Sequence, residues 1–175
     1  MDKSKPQNEP PRTGAAPEVE QNRMKQTALA AFRNFVEPVF KRPEFVQTAA
    51  LCVRQGKKGP EVLLVTSLDS KRWIVPKGWP MEGKSLAQAA LQEAWEEAGV
   101  QGAVDEYPVG SYGYQKTVKG GIPVTCRCSV YRIDVTGLAE DYPEKARRRR
   151  SWMRVNEAAK AVEEPELKAV IRALA

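Results

Sequence analysis

Over residues 85–98 apolar side chains recur at a helical period, with Ala87, Ala90, Leu91, Ala94, Trp95 and Ala98 on one stripe. Ser85 is a good N-cap, and Gly99 suits a left-handed stop. Glu93, Glu96 and Glu97 fall within about a third of the remaining circumference. Elsewhere the pattern is that of strands. Residues 46–54 and 61–67 are two apolar runs around a Gly/Lys turn, which predicts a hairpin. Trp73-Ile74-Val75 is a short third strand leading into a loop whose Gly78, Pro80 and Gly83 exclude helix. Residues 100–106, 109–118 and 122–135 follow as strands, with a turn at Gly120-Gly121. Alternation in the last of these places Val124, Cys126, Cys128 and Val130 on one face. A polar loop over 136–146 leads to a short strand over 150–155, a helix over 157–162 capped by Asn156, and a final helix opened by Pro165.

The first part of the chain has a different texture. Residues 1–43 are polar, with Pro6, Pro10, Pro11 and Pro17 spaced against regular structure, which predicts a disordered extension. Within it a helix is predicted over 21–36, Met24, Ala28, Ala31, Phe32 and Phe35 sharing a side before Pro38 and Pro43 end it. Residues 44–175 then form one domain. Its order of hairpin, helix, long strands and late helices predicts an α/β (α+β) fold with a mixed sheet between helices.

Composition narrows the chemistry. No run of 18 apolar residues exists and the first residues carry no apolar signal core, so a cytoplasmic protein without a membrane span is expected. The three cysteines, Cys52, Cys126 and Cys128, have no metal-binding spacing and suit small buried hydrophobes in a reducing compartment. The chain has no histidine, so acid–base work falls to carboxylates, lysine, tyrosine or metal-bound water. A net charge of +6 surrounds the acidic helix with a basic molecule, which suits an anionic ligand that arrives with metal ions.

The three glutamates have no Lys or Arg three or four residues away. Two unit charges about 5 Å apart repel by about 1 kcal/mol in water and about 3 kcal/mol at an effective dielectric near 20. They also stand in the last turns of the helix, where its dipole disfavours negative charge. A hard divalent cation answers this imbalance.

Gly78, Glu93-Ala94, Glu96-Glu97 and Gly99-Val100 together reproduce the spacing of the Nudix box over 23 positions. The wider run from Ala49-Ala50 through Glu61-Val62-Leu63-Leu64-Val65 and Arg72-Trp73-Ile74-Val75-Pro76-Lys77-Gly78 to Arg150-Ser151-Trp152 resembles the diphosphoinositol polyphosphate phosphohydrolase branch of that family. Two box positions depart: Lys84 stands where the family has its first Glu, and Gln92 where it has Arg.

The resemblance implies hydrolysis of a phosphoanhydride with Mg²⁺ or Mn²⁺. The metal would be held by Glu93, Glu97 and the Gly78 carbonyl, and Glu96 would be the general base, with Glu140, Asp141 and Glu144 as rivals. Arg54, Lys71, Arg72, Lys77, Lys116, Arg148 and Arg150, with Lys119 nearby, are candidates for phosphate contacts. Alternation turns Arg148 and Arg150 to one side, and Trp79, Tyr112 and Tyr114 are candidates for base stacking or for packing.

The substrates implied are a dinucleoside polyphosphate, a diphosphoinositol polyphosphate or another nucleoside-diphosphate-linked compound. Val46-Gln47-Thr48 lacks the basic side chains a polyphosphorylated ring asks for, which keeps the nucleotides in contention. Two other readings stay open: a polyphosphate-binding module without turnover, motivated by Lys84 and Gln92, and an RNA 5′-end pyrophosphohydrolase using the run Arg147 to Arg150.

Overall fold

The computed structural model describes residues 45–117 and 123–175, all within one compact unit, Pro43–Ala175. The predicted extension over 1–43, its helix over 21–36, the Gly120-Gly121 turn and Lys119 lie outside the described residues.

The apolar runs form strands β1 (Phe45–Gly56), β2 (Gly59–Thr66), β3 (Trp73–Ile74), β4 (Lys77–Gly78), β5 (Val100–Val104), β6 (Gly110–Thr117), β7 (Pro123–Leu138) and β8 (Arg150–Arg154). The helices are α1 (Leu86–Ala98), α2 (Val155–Ala161) and α3 (Pro165–Arg172). The sheet is mixed, in the order β3-β2-β1-β7-β5, with β4 on β1, β6 on β7 and β8 on β2. β1 and β7 pair in parallel from Phe45↔Cys126 to Val53↔Asp134, and every residue of β1 from Gln47 to Val53 is buried. A strand covered on both faces reads as a continuous apolar run, as this one does from Ala49 to Val53.

Two cores lie on the two faces. Leu51, Val53, Val62 and Leu64 meet Ala158, Val162, Leu167 and Ile171 of α2 and α3. On the other face Ala50, Cys52, Leu63, Val65 and Ile133 meet Ala87, Ala90, Ala94 and Ala98 of α1. The alanines let the helix backbone approach closely, and bulk is pushed off the stripe. Trp95, expected among the buried residues, is exposed at its margin, while Ala89 is buried.

β1 and β2 pair only over Val53↔Val62 to Gly56↔Gly59. Beyond that they diverge, and residues 73–78 fill the gap: β3 pairs with β2 at Val65↔Ile74, and β4 with β1 at Thr48↔Gly78. The loop expected after Val75 thus contains a two-residue strand, because Lys77 and Gly78 find a free edge of β1. The other correction is at α2, whose N-cap is Arg154 rather than Asn156. Glu157 reaches back to accept from the Arg154 N–H at 3.2 Å, which starts the helix two residues earlier. Cys52, Cys126 and Cys128 are free and buried, and Val124, Cys126, Cys128 and Val130 are all interior.

Candidate active site

The opening between β1 and β2 is where the carboxylates of α1 converge. The helix is held at both ends. Ser85 and Gln88 form a capping box, Ser85 Oγ accepting from Gln88 N at 3.2 Å and Gln88 Oε1 accepting from Ser85 N at 2.9 Å. Gly99 ends it at φ 67°, its N–H bonding Ala94 and Trp95 carbonyls. Thr48 of β1 donates to the Leu86 carbonyl at 2.7 Å, which ties the helix start to the strand that carries Gly78.

Glu97 is buried, at 4% exposure, and its Oε2 accepts from the Lys77 N–H at 3.3 Å. Burial pushes its carboxyl up to about 8, and neighbouring Glu93 and Glu144 push the same way, against the opposing pull of Arg148. Glu93 is half-buried and raised as well, first by burial and then by Glu96 and Glu144. Its carboxylate lies over Gly78: a Cβ on that glycine would fall 1.8 Å from Glu93 Oε1. The glycine is needed there for space.

The missing positive charge comes from 51 residues away. Arg148 is buried, its side chain 8% exposed, with Nη2 on Glu97 Oε1, Nε on Glu144 Oε2 and Nη1 on the Thr66 carbonyl at 3.0 Å. Glu144 N donates to the Glu96 carbonyl at 3.0 Å, which docks the late loop on α1 and brings Glu144 beside the box carboxylates. Of the three rival carboxylates, Glu144 is the one that lines the cavity with Glu93 and Glu97.

That cavity is about 300 Å³. It is smaller than a basic recess of about 650 Å³ at the β1–β2 hairpin, so chemistry rather than size identifies it. Lys77 donates to Tyr114 Oη at 2.8 Å, and Tyr114 in turn donates to the buried Gln47. Burial lowers the lysine's affinity for its proton. At the rim Trp79 is 40% exposed, with Phe45 edge-on at 5.9 Å and Lys116 Nζ 5.0 Å above its ring.

Of the candidate phosphate contacts, Lys77, Lys116 and Arg148 therefore line the cavity with the carboxylates. Of the others, Arg54, Arg72 and Arg150 are engaged elsewhere. Arg54 pairs with Glu61 at 2.7 Å and stacks on Trp152 in the hairpin recess. Arg72 pairs with Glu164 at 2.8 Å, and Lys71 is exposed, at φ 56°. Arg150 does turn to the α1 side with Arg148, but it donates to the carbonyls of Ala98 and Ala139 and so caps the helix end that lacks a basic residue. Arg149 lies over Trp73 at 5.9 Å. The arginine run is thus split among separate partners. Tyr112 is a core residue at 1% exposure.

The two departures from the box pattern touch each other. Lys84 Nζ donates to Gln92 Oε1 at 2.8 Å, and Gln92 Nε2 donates to Glu96 Oε1 at 2.7 Å. No pattern of adjacent residues announces this link, since eight positions separate the first pair.

The donor set suits a hard cation: carboxylate oxygens of Glu93, Glu97 and Glu144 around one cavity, raised carboxyls, and a glycine carbonyl where no side chain intrudes. Among the described residues no three ligands stand close enough together to chelate an ion as the side chains lie. The Arg148 guanidinium is bonded between Glu97 and Glu144, so a metal held by Glu97 would compete with a contact that Arg148 now makes.

The NUDIX domain model matches residues 45–174. Nudix hydrolase 12, mitochondrial, of Arabidopsis thaliana is 36% identical over 101 residues, 56% of this chain and 50% of that protein. Diphosphoinositol polyphosphate phosphohydrolase 3-alpha of Homo sapiens is 31% identical over 119 residues, 67% of this chain and 68% of that protein. Among solved structures, the C. elegans Ap4A hydrolase superposes with a TM-score of 0.53 at 20% identity, covering 74% of this chain and 95% of that one. The NUDIX domain of Shewanella oneidensis NrtR complexed with ADP ribose gives 0.57 at 16% identity, covering 82% and 95%. These two likenesses establish the fold. The box spacing, the mixed sheet between helices and the match over 45–174 together establish that the chain belongs to the Nudix family.

Proposed function

We propose that this chain is a divalent-metal-dependent pyrophosphohydrolase acting on a dinucleoside polyphosphate, a diphosphoinositol polyphosphate or a related nucleoside-diphosphate-linked compound. The observation that carries the reading is the pair Glu93 and Glu97, one turn apart on a doubly anchored helix, facing a cavity with their carboxyls raised. Glu93, Glu97 and the Gly78 carbonyl are the residues to hold Mg²⁺ or Mn²⁺. Bound there, the ion neutralises phosphate charge and makes water a better nucleophile. By the family resemblance Glu96 would take the proton of the attacking water; it stands on α1 beside the cavity, whose lining carboxylates are Asp69, Glu93, Glu97 and Glu144. Lys77 and Lys116 would meet phosphate oxygens, and Arg148, which also lines the cavity, would join them if Glu97 were engaged by a cation.

Among the substrate classes, the rim favours a nucleotide. Trp79 is a partly exposed aromatic that already carries Lys116 over its ring, and the cavity lining holds three cations against four carboxylates, a poor match for a polyphosphorylated ring. RNA as substrate has less behind it, because the arginine run that suggested it is engaged within the fold. Among the described residues no helix is long and apolar enough to cross a membrane. With its three free cysteines, this fits work in a reducing aqueous compartment such as the cytoplasm.

The test is a substrate panel of dinucleoside polyphosphates, nucleotide sugars, nucleoside triphosphates and an inositol pyrophosphate, with Mg²⁺, Mn²⁺ or EDTA and with products identified. Wild type is expected to turn over a nucleotide only with metal, and Glu97→Gln to lose at least about 100-fold. A Glu97→Gln protein as fast as wild type would sink the assignment.

A further inference from the structure

Glu96 Oε1 accepts from Gln92 Nε2, and Gln92 Oε1 accepts from Lys84 Nζ. Among the described residues Gln92 is the side chain that bonds Glu96, and it holds one carboxylate oxygen while leaving the other open. Lys84, Gln88, Gln92 and Glu96 are spaced by four. Helical side chains lean toward the N-terminus, so each reaches back over the one before it. The row would ordinarily run through Gln88. Here Gln88 is diverted into the capping box with Ser85, and Lys84 passes over it to reach Gln92 two turns along.

Lys84 is itself placed by a turn. Its N–H bonds the Met81 carbonyl at 3.2 Å, and Gly83 before it sits at φ 74°, a conformation a glycine takes without strain. The chemistry of the three groups admits a single arrangement. An ammonium only donates and a carboxylate only accepts, so the amide between them must turn its oxygen to Lys84 and its NH₂ to Glu96. The positive charge that Gln92 lacks is delivered by Lys84 through an aligned amide dipole.

We infer that Lys84 and Gln92 act as one positioning pair that fixes Glu96 for proton transfer, replacing the charged residue the family pattern has at position 92. The inference rests on the pyrophosphohydrolase reading for its kinetic consequence, but the bonded row itself is open to observation without turnover. Neither residue is a catalytic residue; both act through Glu96.

The experiment has two arms. In the ¹⁵N-labelled full chain, the Gln92 side-chain amide is identified by its loss in Gln92→Leu. It is expected to move in both Lys84→Met and Glu96→Gln, while the Gln101 amide stays. A Gln92 amide unmoved by either substitution overturns the row, whether or not the enzyme turns over. In the kinetic arm, Gln92→Leu is expected to lower kcat about tenfold or more and Lys84→Met about threefold to tenfold, with KM within about twofold. Because the two act in series, the double variant should be no slower than Gln92→Leu, and Lys84→Arg should restore most of the rate. Losses that multiply in the double variant, or a rise in KM without a fall in kcat, would overturn the pair. A wild type without turnover tells against the pyrophosphohydrolase reading and leaves the amide arm to decide the pair. An active wild type with an unmoved amide rejects the pair alone.

Discussion

Replacing Arg148 by Met removes the guanidinium that, among the described residues, is bonded to both Glu97 and Glu144 and leaves the side-chain volume nearly filled. Arg148 and Glu97 are almost fully buried, so solvent does little to screen what is lost. Taking one partner from a buried pair costs about 3–5 kcal/mol, because the other charge stays behind without compensation. Here a proton limits the damage: burial already holds Glu97 at about 8, so near neutral pH the stranded carboxylate is neutralised cheaply. The lower end, about 3 kcal/mol, is therefore expected. For a folded unit of about 130 residues that is a fall in Tm of about 10 °C in metal-free buffer. The same substitution opens the position the guanidinium holds between the carboxylates. Added Mg²⁺ should then raise the Tm of Arg148→Met by more than it raises that of wild type. Thermal unfolding by circular dichroism, with EDTA and with saturating Mg²⁺, reads both effects. A metal-free Tm within about 2 °C of wild type, or a Mg²⁺ shift no larger than wild type's, would refute the reasoning that Arg148 stands in for the cation.

The raised carboxyl of Glu97 sets a pH dependence. Its folded value, about 8, lies above the ordinary 4.5, so between those limits the folded state binds more protons than the unfolded one and metal-free stability falls as pH rises, levelling above about 8. Mg²⁺ affinity should run the other way, tightening with pH over the same window, because a ligand must shed its proton; a metal-free Tm rising from pH 5.5 to 8 would contradict this. Gly78→Ala puts a methyl where Glu93 Oε1 now lies and should lower kcat at least about tenfold with weaker metal binding; unchanged Mn²⁺ affinity by calorimetry would argue against that contact. Arg150→Leu removes the donors to the Ala98 and Ala139 carbonyls and should lower Tm by about 5 °C; a raised KM at unchanged Tm would return Arg150 to substrate binding.

Much of this could be read from local pattern. The helix over Leu86–Ala98 follows from its alanine stripe between Ser85 and Gly99, the buried β1 from its apolar run, and the interior face of β7 from the alternation of Val124, Cys126, Cys128 and Val130. The grouping of Glu93, Glu96 and Glu97 is a consequence of helical period, and Gly78 of the box spacing. Trp95 and Asn156 depart from the periodic expectation because stripe edges and caps turn on neighbours that period does not encode: the close approach of an alanine face, and the reach of Glu157 to Arg154.

What the sequence by itself determined is therefore the acidic helix, its family and its need for positive charge, since all three arise from residues close along the chain. Which charge answers it was a tertiary decision. Arg148 and Arg150 read alike in a run of four arginines, yet the docking of residues 138–150 across the end of α1 sends one to Glu97 and the other to the Ala98 carbonyl. Arg54 and Arg72 read as phosphate contacts until the fold paired them with Glu61 and Glu164. Lys84 and Gln92, which looked like defects in the pattern, became a bonded pair only when the capping box drew Gln88 aside. Charges are assigned partners by distance in space, and the sequence records only distance along the chain.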